Sequence, residues 1–564
     1  MDDTIALALE TINAGKQAIV FCSSRASAEK TAEDIAKRCV VKGRSYSFKS
    51  DFAFVNEHLE FRESALKAVG TPTKQCKRLA MMIPKGIAFH HSGLASKQKS
   101  LVEDEFRNGK IKVICATPTL AAGLSLPVFR VILKSLKRYS GRFGMNWIPV
   151  LEYLQMAGRA GRPEYEKFGE AIAIVKSESE KDEVYNRYVL GEPEEIYSKL
   201  AVEPVLRMYL LSLISSGLIR DENSMRSFFS KTFWAAQYGD MEELESIMQK
   251  MLSLLWEWEF LLVDGKVFVD SDESDKARVS STGDFVTGLS LVDDESSGDL
   301  GDGSARNRSL RVTAIGRRIA ELYLDPLTAA LLIGRLKEAT SRDSNGSDSS
   351  DKKSGKVNAF SYLQMISHTL EMRPLLRIKV KEQEMVQGFL LDNYEFLLES
   401  EPDQFDLEYD EFMQSIKTAG FFEAWINEIG EDKLLEVFNI RPGEIRYKLE
   451  NANWLIYSCI EICEVLGLKS LKRDLVRLRI RVKNGVREEL LSLLRLKGIG
   501  RKRARLLFSN GIKDVGDLKE SDSGSLGKLL GTKVAANVKE QLGQKVDKVK
   551  DGKRKGQLGL GKYV

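Results

Sequence analysis

Four short apolar runs, at 17–22, 112–116, 128–133 and 170–175, constrain this chain's first third more than any other feature. Each is too short for a buried helix, and each is followed by a turn signal. Residues 27–38 carry apolar positions at helical spacing, so strands and helices alternate here. Such alternation predicts a parallel sheet covered by helices, with the chemistry on loops at its edge.

One such loop is chemically loaded. Gln155-Met-Ala-Gly158-Arg159-Ala-Gly161-Arg162-Pro163 sets two guanidiniums three residues apart beside two glycines. If this segment opens a helix, that spacing puts both arginines on one face. The glycines let a backbone or a phosphate approach closely. Arginine is the fixed-charge fork that a transferring phosphoryl group requires. Two plain surface arginines are the alternative. The upstream strings Phe89-His90-His91-Ser92-Gly93-Leu94 and Ala116-Thr117-Pro118-Thr119-Leu-Ala-Ala-Gly123-Leu-Ser125-Leu-Pro127 argue against it.

In this order these strings resemble motifs IVa, V and VI of the Ski-type branch of superfamily 2 helicases, and Ala18-Ile-Val-Phe21-Cys-Ser23-Ser24-Arg25 resembles motif IV. Within that branch the chain is most similar to archaeal DNA repair helicases related to HELQ and to the helicase part of polymerase theta. The resemblance implies a multidomain α/β plus α architecture: one RecA-like lobe, a winged helix, a helical ratchet bundle and a helix-hairpin-helix. It further implies that Arg159 and Arg162 stabilise the γ-phosphate of ATP and that Gln155 relays the nucleotide state. Gly123 and Gly158 would let the backbone approach the nucleotide, and Ser24 and Thr117 would hold strand phosphates.

Half of a motor is absent from these strings. The first lobe of such a helicase carries Gly-x-x-x-x-Gly-Lys-Ser/Thr for the phosphates and an Asp-Glu pair for Mg²⁺. No Gly-Lys here is followed by Ser or Thr, and none of His58, His90, His91 or His368 is preceded by Asp-Glu-x. The chain is therefore expected to be a C-terminal portion lacking the first RecA-like lobe, either a split-gene subunit or a truncated product, with ATP and Mg²⁺ shared with that missing lobe, in the first case on a separate polypeptide that carries the P-loop.

The expected domains are a second RecA-like lobe (1–178), a winged helix (179–325), a ratchet bundle (326–485), a helix-hairpin-helix domain (486–545) and a basic tail (546–564). A helical insertion of no assigned chemistry is expected at 41–85. Ser/Asp/Gly-rich stretches at 271–307 and 341–355 read as a disordered insertion and a linker. Residues 134–147 read as a β-hairpin bearing Tyr139, Phe143, Met145 and Trp147. In the resembling helicases a hairpin here wedges the duplex apart, and these side chains could stack on the last base pair. Ordinary packing on their own lobe is the alternative. The aromatics Phe228, Phe229, Phe233, Trp234, Tyr238, Trp256 and Trp258 are expected mainly as packing.

In 443–457, Tyr447 and Trp454 lie seven residues apart and so share a helix face. The family's ratchet helix has Trp here, with Arg one heptad earlier. Tyr447 occupies that arginine position with Arg446 beside it, so either could make the upstream base contact. Leu494-Arg495-Leu-Lys497-Gly498-Ile499-Gly500-Arg501-Lys502-Arg503 resembles a helix-hairpin-helix. Gly498 and Gly500 would offer backbone N–H groups to a phosphate, and Lys497, Arg501 and Arg503 would add charge. In the tail, Gln557, Leu560 and Tyr563 resemble a sliding-clamp peptide.

A net charge of +4 over 564 residues says little by itself. Its distribution says more: 466–508 holds fourteen Lys/Arg against three acids, which next to the Gly-Ile-Gly turn reads as a phosphate track, with a plain solvated face as the alternative. Six cysteines without Cys-x-x-Cys make neither a disulfide framework nor a zinc site, and Cys459 and Cys463 read as buried packing. No signal peptide or membrane span is visible, which implies a cytoplasmic, nucleoid-associated protein. The function so expected is an ATP-dependent 3′–5′ DNA helicase working on single-stranded and forked DNA, in repair or at stalled forks. A non-catalytic DNA-binding or sliding-clamp adaptor derived from a helicase is the alternative, and an RNA-directed relative stays open.

Overall fold

The computed structural model describes residues 2–41, 61–66, 72–121, 126, 128–139, 144–161, 168–239, 241–268, 307–345 and 357–544. Gly123, Phe143, Arg162, the stretch 271–306, most of 341–355 and the tail with Gln557, Leu560 and Tyr563 lie outside them. The chain divides into two compact units, Met1–Tyr197 with Glu431–Lys448, and Ser198–Gly430 with Leu449–Val564.

The first unit is built on a five-stranded parallel sheet. Its strands are β1 (Ala18–Phe21), β2 (Ile87–His90), β3 (Val113–Ala116), β4 (Arg130–Leu133) and, after a separate hairpin formed by β5 (Lys137–Tyr139) and β6 (Met145–Trp147), β7 (Glu170–Ala173). The spatial order is β2-β3-β1-β4-β7. Each residue of β1 to β4 is buried, as expected for strands covered on both faces. The apolar-run analysis missed β2, because Ile-Ala-Phe-His has only three apolar residues before His90 and His91.

Two buried polar side chains lock the sheet's surroundings. Gln17 Nε2 donates to the Phe106 and Ile111 carbonyls at 2.7 and 2.6 Å. Arg130 pairs with Glu170 at 2.6 Å and donates to the Leu7 carbonyl and Thr11 hydroxyl of the first helix, Asp3–Asn13, at 3.1 and 3.0 Å. A buried guanidinium is tolerable only when its donors are satisfied in this way.

The second unit begins with helices Glu203–Ser215, Glu222–Phe229, Phe233–Tyr238 and Met241–Glu257, followed by the antiparallel pair β8 (Leu261–Val263) and β9 (Leu310–Val312), which flank the Ser/Asp/Gly-rich stretch. Phe229 and Trp234 are buried here, whereas Phe228, Phe233 and Tyr238 are exposed. A helical bundle follows. Its central helix Tyr409–Ile426 is buried continuously from Ser415 to Phe422. Cys459 and Cys463 sit inside it, and burial pushes both thiols up. Four short helices from Arg501 to Gln541 close over their own core of Val486, Leu490, Leu493, Leu507, Leu518 and Leu526. Among the described residues no helix is long and apolar enough to cross a membrane.

Candidate functional site

The arginine-bearing loop does not open a helix; it follows one. The helix Val150–Ala157 ends there, with Gly158 as its C-cap. Gly161 then takes φ +97°, a conformation that favours glycine. Arg159 therefore lies beyond the helix, which the Gly158 cap closes before it. The chain beyond is pinned to the segment before β4: Val128 N–H donates to the Arg159 carbonyl at 2.9 Å, and Gly161 N–H donates to the Val128 carbonyl at 2.6 Å. Gly169 packs so closely on Gly161 that a Cβ there would strike its backbone.

The Arg159 side chain reaches the neighbouring motif, where Nη2 donates to the Ala121 carbonyl. Its Nε is buried and has no hydrogen-bond partner among the described residues. A buried, unsatisfied charged donor is costly unless something accepts from it. Gln155 lies exposed on the last turn of the preceding helix, and Gly158 is exposed beside it.

The two proposed strand-phosphate residues lie just beyond the C-terminal ends of β1 and β3. Ser24 is exposed three residues beyond β1, and its hydroxyl accepts from Ser27 N–H at 3.2 Å, capping the helix Arg25–Val41. Thr117 follows β3 directly and shares a hydrogen bond of 2.9 Å with Thr119.

Strands β5 and β6 form the expected hairpin, pairing Lys137 with Trp147 and Tyr139 with Met145. Tyr139 and Met145, next to the turn, are 64% and 59% exposed. Trp147 is at the foot, packed against the lobe's core, so its register position and not its residue type removes it from the tip.

One constellation escaped sequence reasoning. Residues 431–448 pack on the lobe although more than two hundred residues separate them from it in the chain. Gly443 N–H donates to the Gly93 carbonyl at 3.1 Å, Arg25 pairs with Glu444, and Lys74 Nζ lies 2.6 Å from Glu436. Beneath them Glu29 is shared by His91 at 3.1 Å, by Arg441 at 3.5 Å and by Arg78. His91 Nδ1 accepts from Gly93 N–H at 3.1 Å, so Nε2 carries the proton donated to Glu29. Burial pushes His91 down despite Glu29, in keeping with a neutral ring. Burial works to raise Glu29, but His91, Arg441 and Arg78 outweigh it and hold the carboxyl below its usual range. The two glycines, Gly93 and Gly443, were the only available signal.

Helix Pro442–Leu466 carries the proposed ratchet residues. Arg446 and Tyr447 are both exposed, and Tyr447 is open for ring stacking. In the second unit Trp454 is half-buried, and its indole N–H donates to the Leu322 carbonyl at 3.1 Å.

In the helix-hairpin-helix, Gly498 has φ +92° and Gly500 caps the helix Arg501–Ser509. Both glycines are exposed, as are Lys497 and Arg503. Arg503 bends back to the Gly498 carbonyl at 2.7 Å. Arg501 is engaged within the protein: its guanidinium lies over the Trp425 ring at 5.0 Å and donates to the Ile429 carbonyl at 3.0 Å. Stacking on an aromatic ring competes with reaching out to a phosphate.

Comparison with known proteins adds three family matches: Helicase conserved C-terminal domain at residues 62–164, Archaeal helicase, domain 4 at 360–485, and SAM-like Helix-hairpin-helix tandem at 490–544. Among curated relatives, the protein named ATP-dependent DNA helicase Hel308 from Methanocella arvoryzae is 34% identical over 97% of this chain and 65% of its own length. Its namesakes from Pyrococcus abyssi and Methanococcus vannielii are 35% and 33% identical, over 98% and 96% of this chain and 67% of their own lengths. The chain thus spans about two thirds of the length of the relatives it matches.

Proposed function

The chain belongs to the Hel308 family of archaeal helicases, and from that premise we propose that it is the DNA-engaging portion of an ATP-dependent helicase. In this reading the motor moves 3′ to 5′ on single-stranded DNA and acts in repair or at stalled forks. The observation that carries it is Arg159, pinned beside motif V with a buried guanidinium nitrogen that has no acceptor among the described residues. A phosphate oxygen is the acceptor that would satisfy it.

The residues present suit the phosphate half of an ATP site and not the Mg²⁺ half. The sequence holds no Gly-x-x-x-x-Gly-Lys-Ser/Thr string, and among the described residues no His/Cys/Asp/Glu group is placed to hold a metal. In our reading, residues outside these 564 supply the phosphate loop and the metal carboxylates, as an adjoining segment or a separate polypeptide. ATP with Mg²⁺ would supply the energy of translocation. Arg159, with Arg162, would meet the γ-phosphate, and Gln155 would report its presence. Ser24 and Thr117 would hold the strand, Tyr139 with Phe143 would part the duplex, and Tyr447 or Arg446 with Trp454 would grip successive bases. The tail residues Gln557, Leu560 and Tyr563 would engage a sliding clamp.

The test is ATP hydrolysis with and without single-stranded DNA, first on this chain alone and then with a P-loop lobe added. No DNA-stimulated turnover is expected alone, and turnover is expected on addition. Robust turnover by the chain alone would overturn the reading.

A further inference from the structure

A hairpin with three-residue strands cannot hold its own direction, because isolated two-stranded ribbons are marginal in water. Something at its foot must fix it, and the structure shows what does.

Trp147 is the hairpin residue packed against the lobe's core. The Lys137 ammonium lies 4.0 Å from the centre of its ring and also 3.1 Å from Glu180 Oε1. The Arg187 guanidinium lies 5.6 Å from the same ring. Tyr188 meets the indole edge-on at 6.0 Å, is itself buried, and donates its hydroxyl to the Ile148 carbonyl at 2.7 Å. Arg187 and Tyr188 are consecutive residues of one π-helical turn, Tyr185–Val189, a geometry often found at functional positions. A further link from hairpin to lobe is the Arg138–Glu152 pair at 3.1 Å, with Arg138 exposed. Exposed ion pairs contribute little, whereas a half-buried indole with two cations over it contributes more.

We propose that Trp147, Arg187 and Lys137 are positioning residues for strand separation: they clamp the foot of the hairpin so that Tyr139 and Met145 are presented to the first base pair of a fork. The proposal rests on the reading of this hairpin as a wedge. It assigns Arg187, well outside the hairpin strands, a part in unwinding without contact to the base pair.

The experiment needs no ATP. The full chain is bound to saturation on a forked DNA bearing 2-aminopurine at the first duplex position. With the unaltered chain, fluorescence should rise as that base unstacks, and Tyr139→Ala should abolish the rise. Arg187 is exposed, so Arg187→Gln should fold normally and keep single-strand affinity within about twofold. It should nevertheless cut the fluorescence rise several-fold, as should Trp147→Leu, while Arg187→Lys, which keeps a cation, should restore much of it. No rise with the unaltered chain, or one that Tyr139→Ala leaves intact, would sink the wedge reading and this proposal with it. A rise lost in Tyr139→Ala but undiminished in Arg187→Gln and Trp147→Leu would overturn the clamp alone.

Discussion

Gly443 and Gly93 meet backbone to backbone: the Gly443 amide donates to the Gly93 carbonyl at 3.1 Å, and a Cβ on Gly443 would collide with the Ser92 carbonyl oxygen. A Cβ on Gly93 would lie 2.9 Å from Arg441 Cδ, so neither position has room for a side chain.

Gly→Ala in a helix ordinarily stabilises by about 1 kcal/mol. At Gly443 the obstacle is backbone oxygen, which cannot swing aside, and overpacking of this kind costs about 1–3 kcal/mol. Gly443→Ala should therefore lower stability in denaturant unfolding, by up to about 2 kcal/mol after the helix gain is set against the clash. A higher unfolding midpoint would refute the close approach.

The Glu29–His91 pair sets a pH dependence. His91 is held below its ordinary value by burial, and Glu29 below its own by His91, Arg441 and Arg78. Both shifts contribute stability that is full above the unfolded pKa, about 6.5 for His and about 4.3 for Glu. That stability is lost as pH falls through the folded values. His368 behaves oppositely. Burial works to lower it, but Glu399 at 2.6 Å outweighs burial and raises it, so its contribution is lost as pH rises. Urea midpoints measured from pH 8 to pH 4 should fall on acidification, and Glu29→Gln should flatten the decline. An unchanged profile in that variant would count against the cluster.

Arg159→Lys keeps a positive charge but loses the fork. In the assembled motor, ATP turnover should fall by about 10²-fold or more, in line with what such arginines contribute to phosphoryl transfer. Turnover within a few-fold of the unaltered protein would show that Arg159 serves only to tie motif VI to the Ala121 carbonyl.

Trp454→Ala should weaken single-strand binding by about 1–3 kcal/mol, the worth of one stacked base. Trp454→Phe keeps a ring but loses the bond to Leu322, so it should lower stability more than affinity. Equal affinities across all three proteins would place Trp454 in the bundle and not on the strand.

Within the helix-hairpin-helix the three cations should separate. Lys497→Ala and Arg503→Ala should each lower the slope of log affinity against log salt by about 0.7–0.9, one released counterion apiece. Arg501→Ala should instead destabilise the fold by removing the group stacked on Trp425. A salt slope altered by Arg501→Ala at constant stability would return that residue to the phosphate track.

The parallel sheet was legible because buried strands and amphipathic helices write their periods into a few residues each. Motif VI was legible as chemistry but not as geometry. Its glycines announced close approach, yet whether they opened or closed a helix depended on Val128 and Gly169 lying alongside. The hairpin was visible in its aromatics and turn, while the separate fates of Tyr139 and Trp147 followed from register.

Sequence alone determined most element types (β2 excepted), the motif strings, the helical bundle and the Gly-Ile-Gly turn, because propensity, periodicity and turn chemistry act within some twenty residues. Tertiary structure alone decided that Arg159 reaches Ala121, that Arg501 lies on Trp425, and that Gly443 rests against Gly93. Those contacts join residues dozens to hundreds of positions apart, and close packing selects them by shape, which no local pattern of side chains records.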